Sequence, residues 1–426
     1  MAVTEPIILD KTGMAIVQAI KQVAGAIKKS EGVVYGFHIN GSDSDPDTCV
    51  TYVKDAVGMT PAYMDYANGV FNYGSWKDAF FMPKPCMLRY DGSVDYYLDP
   101  DDYTKKADGT ASDVANTSYA GNAMMEFPKI WVKFVADSNP KSGYVFISDH
   151  NADGTYHCWS NVNCKGVEVD RFYTPIYNGS NISSKLRSLS GQSVSNGLSG
   201  TTEISYAKAN NLGTDELWNT EVYADCILIN NLLILMSKSL STQTKFGNGH
   251  YTGGSSASSL LTTGTMNTKG LFWGTNSTGS GVKVFGMENY WGNQWRRIAG
   301  YVLVNGVQKV KLTYGQKDGS TVDGYQTSDF SGYISADTTA PSGTSGGYIS
   351  QVKFTEYGMM PEVASGGSGS YFCDGLWFAN SDTFYALRGG SCNNDLRVGA
   401  FCVYLSDVVG VSDWTFGACL SCKPLA

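Results

Sequence analysis

The 426-residue chain carries 31 Lys and Arg against 39 Asp and Glu, a formal net charge of −8, and only 16% of its residues are charged. A surface that tracks nucleic-acid phosphates needs clustered Lys and Arg, so this balance argues against that class of function. Aromatic residues reach 13%, with 27 Tyr and 49 Gly, which excludes a helical bundle and suits strands joined by glycine turns.

The opening "MAVTEPIILDKTG" has no basic region followed by an apolar stretch and a small-residue cleavage site, so no secretory signal is read there and synthesis in a cytosol is expected. Residues 11–29 are the clearest helix. Ile16, Ile20, Val23 and Ile27 recur at four-three-four spacing, a narrow apolar stripe. A lone helix of this length is marginal in water. The stripe therefore packs in an oligomer or on a partner, or the helix is a terminal element of its own domain.

From residue 32 the pattern changes. "GVVYGFHI" (32–39), "CMLRYDGSVDYYL" (86–98), "KIWVKFVA" (129–136), "GYVFISDHNADGTYHCW" (143–159) and "VEVDRFYTPIY" (167–177) alternate apolar and polar residues around Gly turns. They read as strands and hairpins. Helices are predicted over "DPDTCVTYVKDAVG" (45–58) and "ELWNTEVYADCILINNLLILMSKSL" (216–240). The apolar run 226–236 is interrupted by two Asn and is too short to span a bilayer, so no membrane insertion is expected. Gly/Ser/Thr-rich segments at 253–280, 339–348 and 364–370 read as surface loops.

Metal and redox motifs are weak. Asp149, Asn151 and Asp153 start like a calcium loop, but the bidentate acid of the twelfth position is Ser160, so a hairpin turn is the better reading. None of the four His form a metal-spaced pair. The ten Cys include a terminal "CLSC" (419–422) without a second such pair, and all are expected to be free or buried.

Three segments in order, "FGMENYWGNQWRR" (285–297), "YALRGGSC" (385–392) and "DWTFGACLSCKP" (413–424), resemble the formylglycine-generating branch of the C-type lectin fold. Retroelement-diversified variable proteins, often phage receptor-binding proteins, share that frame, and 74–106, 126–134 and 218–249 resemble the phage versions. The resemblance implies an α+β, C-type lectin-like, loop-rich fold with a β-rich N-terminal part and a short N-terminal helix. The expected parts are 1–31 for oligomerisation and virion attachment, 32–170 as a β-rich region, and 171–426 as the ligand-binding domain.

The oxidase members carry two copper-binding cysteines, five apart, after the Gly-Gly-Ser turn. Counted from Ser391, those places hold Asn394 and Gly399, and the nearest cysteines, Cys392 and Cys402, are ten apart. A soft Cu(I) site without paired thiolates has no ligands, so no cofactor and no enzymatic activity are expected, with the copper oxidase and a purely structural virion protein as the alternatives. A diversified cellular adhesin fits less well, because no export signal is read. Expected partners are a bacterial cell-surface protein or glycan, other virion tail proteins, and further copies of the chain in a homotrimer on the virion. In this reading Trp414, Phe416 and Gly417 anchor the closing strand, and the residues between the glycine turn and that strand are free to vary. The expected ligand face is Tyr385, Arg388, Cys392, Asn393, Asn394, Asp395, Arg397, Phe401, Tyr404, Ser406 and Asp407. Aromatic, guanidinium and adaptable amide groups are what binding surfaces use. Strand alternation puts Phe401, Val403 and Leu405 on one side and Cys402, Tyr404 and Ser406 on the other, so one of these sets is core.

Overall fold

The computed structural model describes residues 32–214, 216–312, 330 and 332–425. The expected helix over 11–29, and with it the 1–31 attachment region, lies outside the described residues.

Among the described residues three large sheets carry most of the strands, beside three two-stranded ladders. Val34–Ile39 and Gly143–Ser148 are the central strands of a four-stranded antiparallel sheet, edged by Val50–Lys54 and Trp131–Ala136. A six-stranded antiparallel sheet runs Trp218–Thr220, Leu420–Cys422, Arg171–Pro175, Gly121–Pro128, Lys84–Arg89, Val94–Tyr97. A ten-stranded mixed sheet holds the C-terminal half. At its centre lie Trp295–Val304, Thr383–Arg388, Val403–Leu405, Gly375–Phe378 and Gly347–Thr355.

Helix α1 spans Gly200–Lys208, with the Ser199 hydroxyl accepting the Thr202 N–H at its start. Helix α2 spans Tyr223–Ser237, and all its residues are buried. A helix apolar on every side belongs inside a protein, and its polar residues find partners there. Asn230 Nδ2 donates to Ala400 O at 2.7 Å, and Asn231 Nδ2 donates to Ile227 O at 2.7 Å. Asp225 pairs with Lys423 and accepts the Ser421 hydroxyl at 2.9 Å, tying the chain end to the helix. A short helix α3, Thr242–Phe246, follows. None of the helices among the described residues is long and apolar enough to cross a membrane.

The expected α+β class is corrected. Among the described residues strands make up 35% and helix 9%, in three helices, so the fold is β-rich. Part of the difference lies at 45–58, where no helix forms. Asp43 and Asp45 accept backbone N–H groups two residues on, at 3.0 and 2.9 Å, local bonds that compete with helix. The β-branched Val50, Thr51 and Val53 then pair as a strand with Val34–Ile39. The second predicted helix begins later than expected, because Trp218–Thr220 pairs with Leu420–Cys422 near the chain end.

The expected boundary at 170/171 cuts through the six-stranded sheet, where Arg171–Pro175 pairs with Gly121–Pro128. One hydrophobic core also runs from Phe37 to Leu405, so the two parts share a sheet and a core. The acids of 149–153 serve a turn: Asp153 accepts the Thr155 N–H at 3.0 Å and pairs with Lys133 at 2.8 Å, and Asn151 accepts the Tyr156 N–H at 3.1 Å. All ten cysteines are free, and Cys164 alone is not fully buried.

Candidate ligand-binding face

The stretch 385–407 divides into a buried frame and a half-exposed face. Thr383–Arg388 pairs with Trp295–Val304, setting Arg388 beside Arg296 and Leu387 beside Arg297. The chain then turns at Gly389 and Gly390, with φ of +85° and +77°. It runs through an irregular loop and returns as Val403–Leu405, which pairs antiparallel with Thr383–Arg388 and parallel with Gly375–Phe378.

Three residues expected on the ligand face are inside the protein. Arg388 is 2% exposed. Its Nε donates to Glu221 Oε2 at 3.2 Å, its Nη2 to Glu221 Oε1, and its Nη1 to Tyr290 O at 2.8 Å. The guanidinium also lies 3.8 Å from the Tyr290 ring centre. Tyr385 packs with Ile204, Val222, Ala299 and Val302. Cys392 is buried where its carbonyl accepts the Gly254 N–H at 2.8 Å and its N–H donates to Asn293 O at 3.1 Å. Position in a paired strand, or beneath a crossing loop, removes each from solvent.

The same frame explains the paired arginines of the "NQWRR" segment. Arg296 Nε lies 3.3 Å from Glu221 Oε2, so one carboxylate holds two guanidinium groups from neighbouring strands. Burial works to raise the Glu221 pKa, but Arg296 and Arg388 outweigh it and hold the carboxyl below its usual value. Arg297 Nε lies 2.6 Å from the buried Glu203 Oε2, and its Nη2 donates to Leu198 O at 3.2 Å, pinning the segment before α1. Asp374 organises the return loop: it accepts N–H groups from Phe401, at 2.6 Å, and from Gln243, at 2.5 Å. Burial nevertheless pushes its pKa well above the ordinary carboxylate value.

The remaining expected residues lie at or near the surface. Asn393 and Asp395 are exposed, and Asn394, Arg397, Phe401, Tyr404, Ser406 and Asp407 are half-buried. Asn394 is committed to the turn, its Oδ1 accepting the Ser391 N–H at 2.7 Å and hydroxyl at 3.0 Å. Phe401 packs edge-on against Phe372 at 5.0 Å. Of the expected alternation, Val403 and Leu405 point into the core while Tyr404 and Ser406 face outward. Phe401 and Cys402 precede the strand and do not follow it.

The centre of the face is a residue sequence reading missed. Trp377 is half-buried beside Tyr404, with ring centres 6.2 Å apart and planes 27° from parallel. Trp295 closes on both rings from below, at 5.3 and 5.5 Å. Arg397 lies over the indole at 5.0 Å, held by Asp395 Oδ1 at 2.7 Å and by Gly346 O at 2.6 Å. The indole fits because residue 375 is glycine: a Cβ there would stand 2.4 Å from the Trp377 ring. The signal in "DGLWFAN" was a glycine opening a short aromatic strand. Leu396, 38% exposed, and Val408, 41% exposed, are apolar side chains at the surface of the same stretch. Trp414, expected to anchor the closing strand, is half-exposed, and Phe416 does the anchoring, paired with Trp295.

The result is an aromatic pair capped by a fixed guanidinium, with Asp395 on the guanidinium and Asp407 beside Tyr404. Side chains of these kinds are capable of stacking, apolar burial and forked hydrogen bonds. Among the described residues no group of three or more His, Cys, Asp or Glu side chains could hold a metal ion. No protein-family model matches the chain, and no curated protein matches its sequence.

Proposed function

We propose that the chain is a phage virion receptor-binding protein, of the retroelement-diversified kind its ordered motifs resemble, and that it attaches to a bacterial surface protein or glycan through the Trp377–Tyr404–Arg397 face. The observation that carries this reading is the division within 385–407. Frame residues are locked by ion pairs that reach across the sequence, while Asn393, Asp395 and Arg397 project from the loop between them. Substitutions on such an exposed loop cost little stability, so the face can change while the frame stays folded. Presentation as a homotrimer, with many copies on one particle held by other virion tail proteins, turns weak single sites into strong attachment. No catalytic step belongs to this reading.

The test is binding of labelled protein to intact candidate host cells, with wild type beside Asn393→Ala/Asp395→Ala/Arg397→Ala at matched melting temperature. Binding by wild type and loss in the folded variant supports the reading. Equal binding by both moves attachment away from this face.

A further inference from the structure

Lys423 and Asp225 are both fully buried, and they meet where the last strand ends beside helix α2. Asp225 sits in the first turn of that helix, and Lys423 directly follows Leu420–Cys422. The backbone fixes both positions: the Lys423 N–H donates to Leu217 O at 2.9 Å, and the Asp225 N–H donates to Val222 O at 3.1 Å. Lys423 Nζ lies 2.5 Å from Asp225 Oδ1, one bond from the carboxyl carbon. Asp225 Oδ2 accepts the Ser421 hydroxyl at 2.9 Å, and Nζ stands 4.6 Å from the centre of the Phe172 ring.

Removing two charges from water is costly, and a buried ion pair recovers little of that cost. Among the described residues the other ion pairs with both side chains buried are Arg296–Glu221, Arg388–Glu221 and Arg297–Glu203, and all use arginine. A guanidinium keeps its proton in proteins, whereas a buried lysine gives one up and becomes a nucleophile. Burial pushes the Asp225 pKa above its ordinary value and the Lys423 pKa below its own, both toward the uncharged forms.

We propose that this pair condenses to an amide, an isopeptide cross-link between Lys423 Nζ and Asp225 Cγ. The ammonium first gives a proton to Oδ1, and the neutral amine attacks Cγ. The Nζ–Cγ bond forms, a second nitrogen proton passes to Oδ1, and the Cγ–Oδ1 bond breaks to release one water. Atoms and charge balance without any oxidant or cofactor. Oδ2 stays as the amide oxygen, and the Ser421 hydroxyl stabilises the charge that develops on it. Sealing amine and carboxyl against each other supplies the proximity that the same condensation lacks in water. The amide also removes both buried charges. It joins positions 198 apart in sequence and holds the chain end on α2 even in the unfolded chain, which a cross-link of that span restrains. The cross-link is independent of what the 385–407 face binds.

The test is intact-mass measurement on the denatured full chain, with tandem sequencing of its proteolytic peptides. The expected mass is lower than that of the sequence by one water, and a branched peptide joins Lys423 to Asp225. Asp225→Ala and Lys423→Met each show the full mass of their own sequence. Since each of these leaves a buried charge unpaired and can fail to fold for that reason, Ser421→Ala is followed as a time course on newly synthesised chain. It reaches the lower mass at least tenfold later than wild type, with an unchanged circular dichroism spectrum. A wild-type chain that keeps its full mass after prolonged incubation overturns the proposal. So does a loss of water without the branched peptide, or one that persists in Asp225→Ala, since either places the dehydration elsewhere, as at Asp91 and Gly92.

Discussion

Arg388 and Arg397 stand nine positions apart in one stretch of chain, yet one is built into the buried frame and the other lies at the surface. Arg388 is sealed beneath the sheet on Glu221, a partner 167 residues away in sequence. Arg397 is held by Asp395, two residues away, and lies over a half-buried indole. The difference teaches that a guanidinium belongs to the frame when its carboxylate comes from a distant element, and to the surface when its carboxylate is local. Both are charged, both follow a glycine turn or precede one, and composition alone cannot separate them.

The comparison can be broken most forcefully at its buried end. Arg388→Ala leaves Glu221 with Arg296 alone, and truncating one partner of a buried pair costs about 3–5 kcal/mol. Urea denaturation followed by tryptophan fluorescence should show that loss, and a cost below about 1 kcal/mol would place Arg388 outside the frame. The same cluster sets an acid limb. Arg296 and Arg388 depress the Glu221 pKa in the folded state. The resulting stability is fully present above the unfolded carboxylate value of about 4.3 and is lost as pH falls through the lower folded value. Between about pH 5 and 3 the wild type should therefore lose more stability than Glu221→Gln, measured as melting temperature against pH.

At the border between frame and face, Gly375→Ala drives a methyl into the Trp377 ring. It should cost about 1–3 kcal/mol by overpacking and weaken host-cell binding as the indole shifts. On the face itself, Arg397→Ala should cost no more than about 1 kcal/mol in stability. It should nevertheless weaken binding at least tenfold, about 1.4 kcal/mol. The smallest effect belongs to Asn393→Ala, within about 0.5 kcal/mol of wild-type stability by the same denaturation.

Hairpins were legible because their signals are local: "YDGSV" closes the pair Lys84–Arg89 and Val94–Tyr97, and alternation in 32–39 and 143–148 gives the strands of the first sheet. Helix α2 was legible from its apolar run, although its first residues were drawn into a strand by the chain end. What the sequence concealed was long-range pairing. Nothing near Arg388 marks it as buried, since Glu221 and Tyr290 come from other elements. Asp43 and Asp45 turned a predicted helix into turns through side-chain bonds that periodicity does not register. The surface position of Arg397, Tyr404, Asn393 and Asp395 was legible, while Trp377 was hidden because its strand neighbours only become adjacent in the parallel pairing with Val403–Leu405.

The most direct test is arginine labelling with a dicarbonyl reagent, read residue by residue by mass spectrometry, in free protein and in protein bound to host cells. A buried frame and a binding face require Arg397 to react at least ten times faster than Arg388 in free protein, and to be protected several-fold on cells while Arg388 is unchanged. Equal rates for the two arginines, or no protection of Arg397 on cells that bind the protein, would contradict the account.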